Sequence, residues 1–196
     1  MLDPTSGTVL IEGQDISRID PIELRRRIGY VIQEFGLLPH WTVRQNVSLV
    51  PRLLGWSDQK QRQRAAELLD QVGLGQDGLA DRHPHQLSGG QRQRVAVARA
   101  LAAEPSLLLF DEPFGALDPV TRHDMQQQFA ALRKQYNMAA VFVTHDLLEA
   151  LTLGTRIAIL NGGKLEALAA PGEFWRIESP VAQAFRETLP AELRPH

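Results

Sequence analysis

One segment of the sequence carries residues suited to binding a phosphate group. In Leu87–Gln91, which reads LSGGQ, two adjacent glycines stand at the start of a predicted helix. Gly89 and Gly90 leave the backbone N–H groups uncovered there, and the helix dipole favours a negative charge. A simpler interpretation also fits, because Ser88 and Gln91 have the spacing of a capping box. The motif by itself leaves both interpretations open.

A second segment carries acidic residues suited to a metal ion and a water molecule. Leu107–Pro113 reads LLLFDEP, so Asp111 and Glu112 directly follow an apolar predicted strand. Ligands of open parallel sheets bind at the carboxyl ends of the strands. One carboxylate there can hold Mg²⁺ through its water shell, and its neighbour can polarise an attacking water. The alternative is an acidic turn that merely follows a core strand.

Two further polar residues stand at the ends of predicted strands. His145 lies within Thr144–Asp146, which follows one strand, and Gln33 ends an earlier strand. Either residue alone is typical of an ordinary turn. Together with the two segments above, they give four positions in one chain that suit a triphosphate and a metal ion.

The elements that must position these residues alternate between strands and helices. The pattern predicts strands at 8–12, 28–33, 107–110, 140–144 and 156–160, a helix over Pro119–Tyr136, and mainly helices between 34 and 103. Alternating strands and helices with a helical insert indicate an α/β domain built on a parallel sheet.

Composition limits the classes of chemistry that the chain can perform. Its 196 residues include no cysteine, which excludes a disulfide framework, thiolate zinc sites and a cysteine nucleophile. No apolar run approaches the ~20 residues that a membrane helix requires. The formal net charge is −2, so no basic excess indicates nucleic acid. We therefore interpret Arg92, Arg94 and Arg99, in the helix that follows LSGGQ, as a solvated face.

Taken together, these segments resemble the nucleotide-binding subunits of ABC transporters. LSGGQ matches the signature motif of that family, LLLFDEP resembles its Walker B strand, and Gln33 resembles its Q-loop glutamine. Gly115–Asp118 is similar to the D-loop, and Thr144–Asp146 is similar to the switch segment with its histidine. Two longer segments resemble those of importers of glycine betaine, choline and related quaternary amines. They are Phe35–Trp56 and Phe114–Arg122.

The resemblance implies roles for the residues at the strand ends. Asp111 and Gln33 would help to hold Mg²⁺. Glu112 would orient or deprotonate the attacking water, and His145 would contact the γ-phosphate. The cofactors that the resemblance implies are ATP and Mg²⁺, and the chemistry is positioning and charge stabilisation rather than covalent catalysis.

The resemblance also implies a homodimer whose two copies share their nucleotides. Ser88, Gly89 and Gly90, within the motif that Gln91 completes, would bind the γ-phosphate of a nucleotide held by the second copy. Asp118 would act across the dimer interface. Closure of the dimer would then require ATP, and hydrolysis would release it.

The implied architecture is a P-loop ATPase core with a parallel sheet and an inserted α-helical subdomain, the core being incomplete. Residues 1–33 would be an N-terminal remnant of the core, 34–103 the helical signature subdomain, and 104–196 the C-terminal part of the core. The implied partners are transmembrane permease subunits, a second ATP-binding subunit and, indirectly, a periplasmic or lipid-anchored solute-binding protein, with no nucleic acid. The protein would lie peripherally at the cytoplasmic face of the inner membrane.

One part of the family pattern does not occur in the chain. Phosphate binding in this family uses G-x-x-x-x-G-K-[ST], and the three lysines Lys60, Lys134 and Lys164 all lack that context. We expect that the chain begins downstream of this loop, as a fragment, from an internal start or as a natural truncation. We also expect residues 1–196 alone to bind ATP weakly and to hydrolyse it negligibly.

Two other classes of function stay open at this point. A soluble ABC ATPase of DNA repair or translation would share the signature and Walker B motifs, although it would normally carry long coiled-coil heptads or tandem nucleotide domains. A non-catalytic truncated subunit would keep the fold without the phosphate loop. Glu112 and His145 argue against the second class, because a chain freed from hydrolysis need not retain either residue.

Overall fold

The computed structural model describes residues 4–33, 35–76, 78–136 and 138–190. The chain divides into two compact units, Met1–Val141 and Phe142–His196. In chain order the elements are β1 (Leu10–Ile11), β2 (Gln14–Asp15), α1 (Pro21–Arg27), β3 (Ile28–Val31), α2 (Val43–Val47), α3 (Leu49–Leu53), α4 (Asp58–Gln71), α5 (Gly89–Leu101), β4 (Leu107–Asp111), α6 (Pro119–Tyr136), β5 (Ala139–Val143), α7 (Leu147–Leu153), β6 (Ile157–Asn161), β7 (Lys164–Ala169) and α8 (Pro180–Glu187). Short 3₁₀ helices span Ile16–Arg18, Pro84–Gln86 and Pro171–Arg176.

A three-stranded sheet in the order β3-β4-β5 supports the predicted site. Strands β3 and β4 are parallel, with Ile28 opposite Leu107 and Val31 opposite Phe110. Gly29 allows helix α5 to approach this sheet closely, because a Cβ at that position would lie 2.5 Å from the Ala100 carbonyl oxygen. The helix that carries the LSGGQ motif is therefore seated directly on the strand that leads to Gln33. The predicted α/β fold with a parallel sheet is confirmed.

The helices between β3 and β4 enclose their own apolar core. Val47 on α2, Leu68 on α4 and Val95 on α5 are all fully buried. Capping fixes where these helices begin: the Thr42 hydroxyl accepts from the Gln45 amide, while the Gln45 side chain accepts from the Thr42 amide. That arrangement is a capping box, for which Thr42 and Gln45 have the required three-residue spacing.

The second unit has a hydrophobic cluster of its own, made by Leu147, Ile157, Ile159, Phe174, Ala182 and Leu189. Its strand β6 pairs with β7 in an antiparallel hairpin, which the expectation of a parallel sheet did not foresee. The turn is made by Gly162 and Gly163, both with positive φ. Two successive left-handed residues form the turn type that matches the twist of a hairpin. Within the part of the chain that the structure describes, no helix combines the length and apolar character needed to cross a membrane.

Candidate functional site

The ends of β3 and β4 bring Gln33 and Glu112 together. Because Val31 pairs with Phe110 in a parallel register, the residues two positions further along each strand stand at the same level. Gln33 Nε2 lies 3.5 Å from Glu112 Oε2, a long and weak hydrogen bond. Asp111 is the last residue of β4 and is half-buried, as is Glu112. The two predicted metal-binding residues and the predicted catalytic carboxylate therefore lie at one edge of the sheet.

The backbone at Glu112 adopts an unusual conformation. Its φ is +45°, in the left-handed region that residues other than glycine rarely adopt. Such a conformation costs about 1–3 kcal/mol and concentrates at functional sites. The chain turns back immediately afterwards, since the Gly115 amide donates to the Glu112 carbonyl over 3.3 Å. The tight turn keeps the Glu112 carboxylate at the strand end, next to Gln33.

The LSGGQ segment forms the first turn of α5, and both interpretations of its sequence describe part of it. Ser88 caps the helix: its hydroxyl accepts from the Gln91 amide at 3.2 Å, and its amide donates to the Gln91 side chain at 2.9 Å. The capping box is thus real. It does not close the site, because Gly89 and Gly90 still stand in the first turn, where an α-helix leaves N–H groups without intrahelical partners.

The two signature glycines have different surroundings. A Cβ added at Gly89 would meet no atom within 4 Å, so this glycine faces open space. A Cβ added at Gly90 would lie 2.6 Å from Thr121 Cγ2, too close for any side chain. Gly89 is therefore the position at which a ligand could approach the backbone, whereas Gly90 permits α5 to pack against the start of α6.

Asp118 stands next to this packing contact. Its carboxylate caps α6 by accepting from the Thr121 amide at 3.0 Å. Hydrogen bonds from the Thr121 hydroxyl and then from the Thr121 amide lower the pKa of the Asp118 carboxyl, which is exposed. Thr121 therefore contacts both Gly90, in the first turn of α5 (the signature turn), and Asp118, the residue that caps α6.

His145 belongs to the second unit, where it is exposed between β5 and α7. The neighbouring residues fix its turn. Asp146 caps α7 by accepting from the amides of Leu148 and Glu149, and the Thr144 hydroxyl donates to Glu149 over 2.7 Å. The histidine is thus presented at a defined helix start within its own unit.

The donor set at the sheet edge fits Mg²⁺. Among the residues that the structure describes, no group of three or more His, Cys, Asp or Glu side chains could hold a metal by itself. Mg²⁺ does not need such a cage, since it is typically bound by one or two carboxylates together with phosphate oxygens. Asp111, Glu112 and the Gln33 amide supply oxygen donors of that kind.

Two arginines of α5 do not lie on a solvated face as predicted. The Arg94 guanidinium, half-buried, donates to the Val72 carbonyl at 2.9 Å and to the Gln128 side chain at 2.6 Å. Arg99 is half-buried as well and donates to the carbonyls of Phe35 and Gly36. No local sequence signal indicates these contacts, because the acceptors, three carbonyls and the Gln128 side chain, belong to segments distant in the sequence.

Comparisons with known proteins identify the family of the chain. Residues 1–115 match the family model described as ABC transporter. The glycine betaine/carnitine/choline transport ATP-binding protein OpuCA of Bacillus subtilis is 53% identical over 90% of this chain and 46% of its own length. The osmoprotectant import ATP-binding protein OsmV of Salmonella typhimurium is 46% identical over 88% of this chain and 45% of its own length. This chain therefore spans about half the length of these relatives.

A solved structure shows the same fold. The dimeric ATP-binding cassette MJ0796, in a post-hydrolysis state with ADP and Pi, superposes with a TM-score of 0.74 at 38% identity, covering 86% of this chain and 75% of that one. The chain belongs to the ABC transporter family. The resemblance predicted from LSGGQ, LLLFDEP and the strand-end residues is confirmed.

Proposed function

We propose that this chain is part of the ATP-binding subunit of an ABC importer, and that the importer carries osmoprotectants of the glycine betaine and choline type. The observation that carries the proposal is the meeting of Gln33 and Glu112, 3.5 Å apart, at the carboxyl ends of β3 and β4. OpuCA and OsmV, which are named for glycine betaine, carnitine, choline and osmoprotectant transport, support the substrate class.

The residues at the sheet edge divide the work of ATP hydrolysis. Asp111 and the amide oxygen of Gln33 would hold Mg²⁺, which when bound would neutralise charge on the phosphates. Glu112 orients the attacking water and accepts its proton, as a carboxylate at a strand end can do. His145 contacts the γ-phosphate. Gln33 also donates a long hydrogen bond to Glu112, so it would contact the catalytic carboxylate as well as contribute a metal ligand.

The signature turn binds the nucleotide that a second copy of this chain holds. Ser88, Gly89, Gly90 and Gln91 form a helix start that attracts a phosphate, and the open surroundings of Gly89 let one approach the backbone. Asp118 acts across the interface from a helix start that packs against this turn. The dimeric state of MJ0796, in a structure with ADP and Pi, supports a paired arrangement.

The partners follow from the transporter assignment. The chain associates with transmembrane permease subunits at the cytoplasmic face of the membrane, and a periplasmic or lipid-anchored solute-binding protein acts indirectly. Residues 34–103 form the helical signature subdomain between two parts of the ATPase core, 1–33 and 104–196. Leu37, Leu38 and Trp41 offer apolar contacts to the permease, and the Leu38 side chain is exposed.

An ATP titration tests the nucleotide part of the proposal. The chain contains no G-x-x-x-x-G-K-[ST] segment, the loop that cradles phosphates in this family. Calorimetric titration of residues 1–196 with ATP and Mg²⁺ is therefore expected to show no micromolar binding and negligible hydrolysis. Micromolar affinity would contradict the assignment of phosphate binding to that loop.

Copurification tests the transporter part. A tagged chain expressed with a quaternary amine permease is expected to retain that permease, and Trp41→Glu is expected to weaken retention. Trp56→Glu is the matched control, since the Trp56 ring makes a contact within the chain: its centre lies 3.5 Å from Lys60 Nζ. Association with ribosomes or DNA instead would favour a soluble ABC ATPase, and unchanged retention by Trp41→Glu would remove Trp41 from the interface.

A further inference from the structure

Two arginines on α5 contact the segment that follows Gln33. Arg92 and Arg99 are seven residues apart and therefore point to the same side of the helix, two turns apart. The Arg99 guanidinium donates to the Phe35 carbonyl at 2.9 Å and also to the Gly36 carbonyl. The Arg92 guanidinium lies 5.4 Å from the centre of the Phe35 ring and donates to the Leu87 carbonyl at 3.1 Å. We call Arg92, Arg99, Phe35 and Gly36 the arginine clamp.

Phe35 and Gly36 have an unfavourable backbone conformation that contacts with other segments must stabilise. Phe35 and Gly36 have φ values of +64° and +54°, so two successive residues are left-handed and one of them is a bulky aromatic. A φ above zero is unfavourable for such a residue and persists where the surroundings enforce it. Gly36 also packs tightly, since a Cβ there would lie 2.7 Å from Ile32 Cδ1. The two carbonyls held by Arg99 belong to these two residues.

The same segment closes the turn that carries Gln33. The Phe35 amide donates to the Ile32 carbonyl at 3.1 Å, and Gln33 follows Ile32 directly. The position of Phe35 therefore constrains the position of Gln33. Gln33 in turn reaches Glu112 over 3.5 Å. A continuous set of contacts runs from the signature helix to the catalytic carboxylate.

Arginine suits this place for chemical reasons. Burial lowers the pKa of the Arg99 guanidinium, and a half-buried charge is stable only where its donors are paired. The planar guanidinium presents several N–H groups in a fixed fork, so one side chain can satisfy two carbonyls. A lysine carries the same charge but lacks that fork.

We propose that Arg99, supported by Arg92, is a positioning residue for Gln33, so that the orientation of the signature helix sets the Gln33–Glu112 contact. The inference rests on the proposed function only in giving that contact a catalytic purpose. The clamp itself is a property of the chain without nucleotide, and it can be tested in that state.

Hydrogen exchange and NMR spectroscopy of residues 1–196 test the clamp. Arg99→Met is expected to raise the exchange rate of the Phe35 amide about tenfold or more, because two hydrogen bonds to a charged donor are lost. It should also shift the side-chain amide resonances of Gln33, identified by their disappearance in Gln33→Asn. Arg99→Lys should give an intermediate effect in both measurements.

Arg94→Met is the matched control, because it removes a guanidinium from the same helix that bonds Val72 and Gln128 instead. It should lower the thermal midpoint while leaving the Phe35 exchange rate and the Gln33 resonances unchanged. The proposal is overturned if Arg99→Met leaves both signals unchanged, or if Arg94→Met moves them equally. Should Arg99→Met not fold, Arg99→Lys and Arg92→Met carry the same test. None of these measurements uses ATP, so failure of the clamp is distinguishable from failure of the ATPase assignment.

Discussion

Apolar residues in the helical region and in the sheet meet very different surroundings. On the helices, Val47, Leu68 and Val95 are fully buried. On the sheet, Val31 of β3 is fully buried, whereas Tyr30 of the same strand is 49% exposed and Val141 of β5 is 52% exposed. The helical region therefore completes its own core, whereas the described sheet buries some of its apolar side chains and leaves others in contact with solvent. The exposed strand positions should accordingly contribute less to stability than the buried helical positions.

The strongest test of this comparison removes a buried side chain from the helical core. Leu68→Ala on α4 is expected to lower the free energy of unfolding by about 3–5 kcal/mol, through lost burial and a residual cavity. Urea unfolding monitored by circular dichroism measures the change. A loss below about 1 kcal/mol would mean that the helical region is loosely packed and would end the distinction between the two regions.

The buried side chain of Asn46 tests how the helical region is attached to the loop that precedes α2. The fully buried Asn46 accepts from the Leu38 amide at 2.7 Å, and its side-chain nitrogen lies within hydrogen-bond distance of the carbonyls of Leu38, Trp41 and Thr42. Asn46→Ala removes these part-buried hydrogen bonds, leaves the Leu38 amide without this acceptor and should cost about 2–3 kcal/mol. Gln63→Ala, at an exposed position on α4, is the control and should stay within about 0.5 kcal/mol. Equal losses in the two variants would contradict the prediction.

A smaller loss of stability is expected from the contact between Gly90 and Thr121. Gly90→Ala drives a methyl group into Thr121 and should cost about 1–2 kcal/mol in unfolding free energy. The double variant Gly90→Ala with Thr121→Ser should recover part of that loss, because serine lacks Cγ2 and keeps the hydroxyl that bonds Asp118. Gly89→Ala, which faces open space, should not destabilise the chain. Absence of recovery in the double variant would show that the α5–α6 contact is not what Gly90 serves.

The smallest effect is expected on the sheet. Val141→Thr keeps the branched shape at a half-exposed position of β5 and should change the free energy of unfolding by less than about 0.5 kcal/mol. The same urea titration measures it. A loss above about 1 kcal/mol would show that this strand is covered in solution and would remove the contrast with Leu68.

Much of the site could be predicted from local sequence. The helix over Pro119–Tyr136 has the predicted bounds, and the capping boxes at Thr42 and Ser88 form as their spacing indicates. Each of these features depends on residues within four positions of one another. The parallel pairing of β3 and β4 also follows from alternation of strands and helices, and it is sufficient to bring Gln33 near Glu112.

Other features could not be predicted because their partners are distant in the chain. The left-handed Phe35 depends on Arg99, 64 residues away, and the close fit of Gly90 depends on Thr121 of another helix. The antiparallel β7 carries no pattern that distinguishes it from an exposed loop, since most of its residues are exposed.

The sequence by itself determined the family, the types of residue at the strand ends and the starts of the helices, because motif spacing and capping act over a few residues. Only the tertiary structure decided which arginine holds which carbonyl, which signature glycine faces open space and which apolar strand residues stay exposed. Those outcomes depend on how helices and strands pack against one another, and packing is settled between residues that are far apart in the chain.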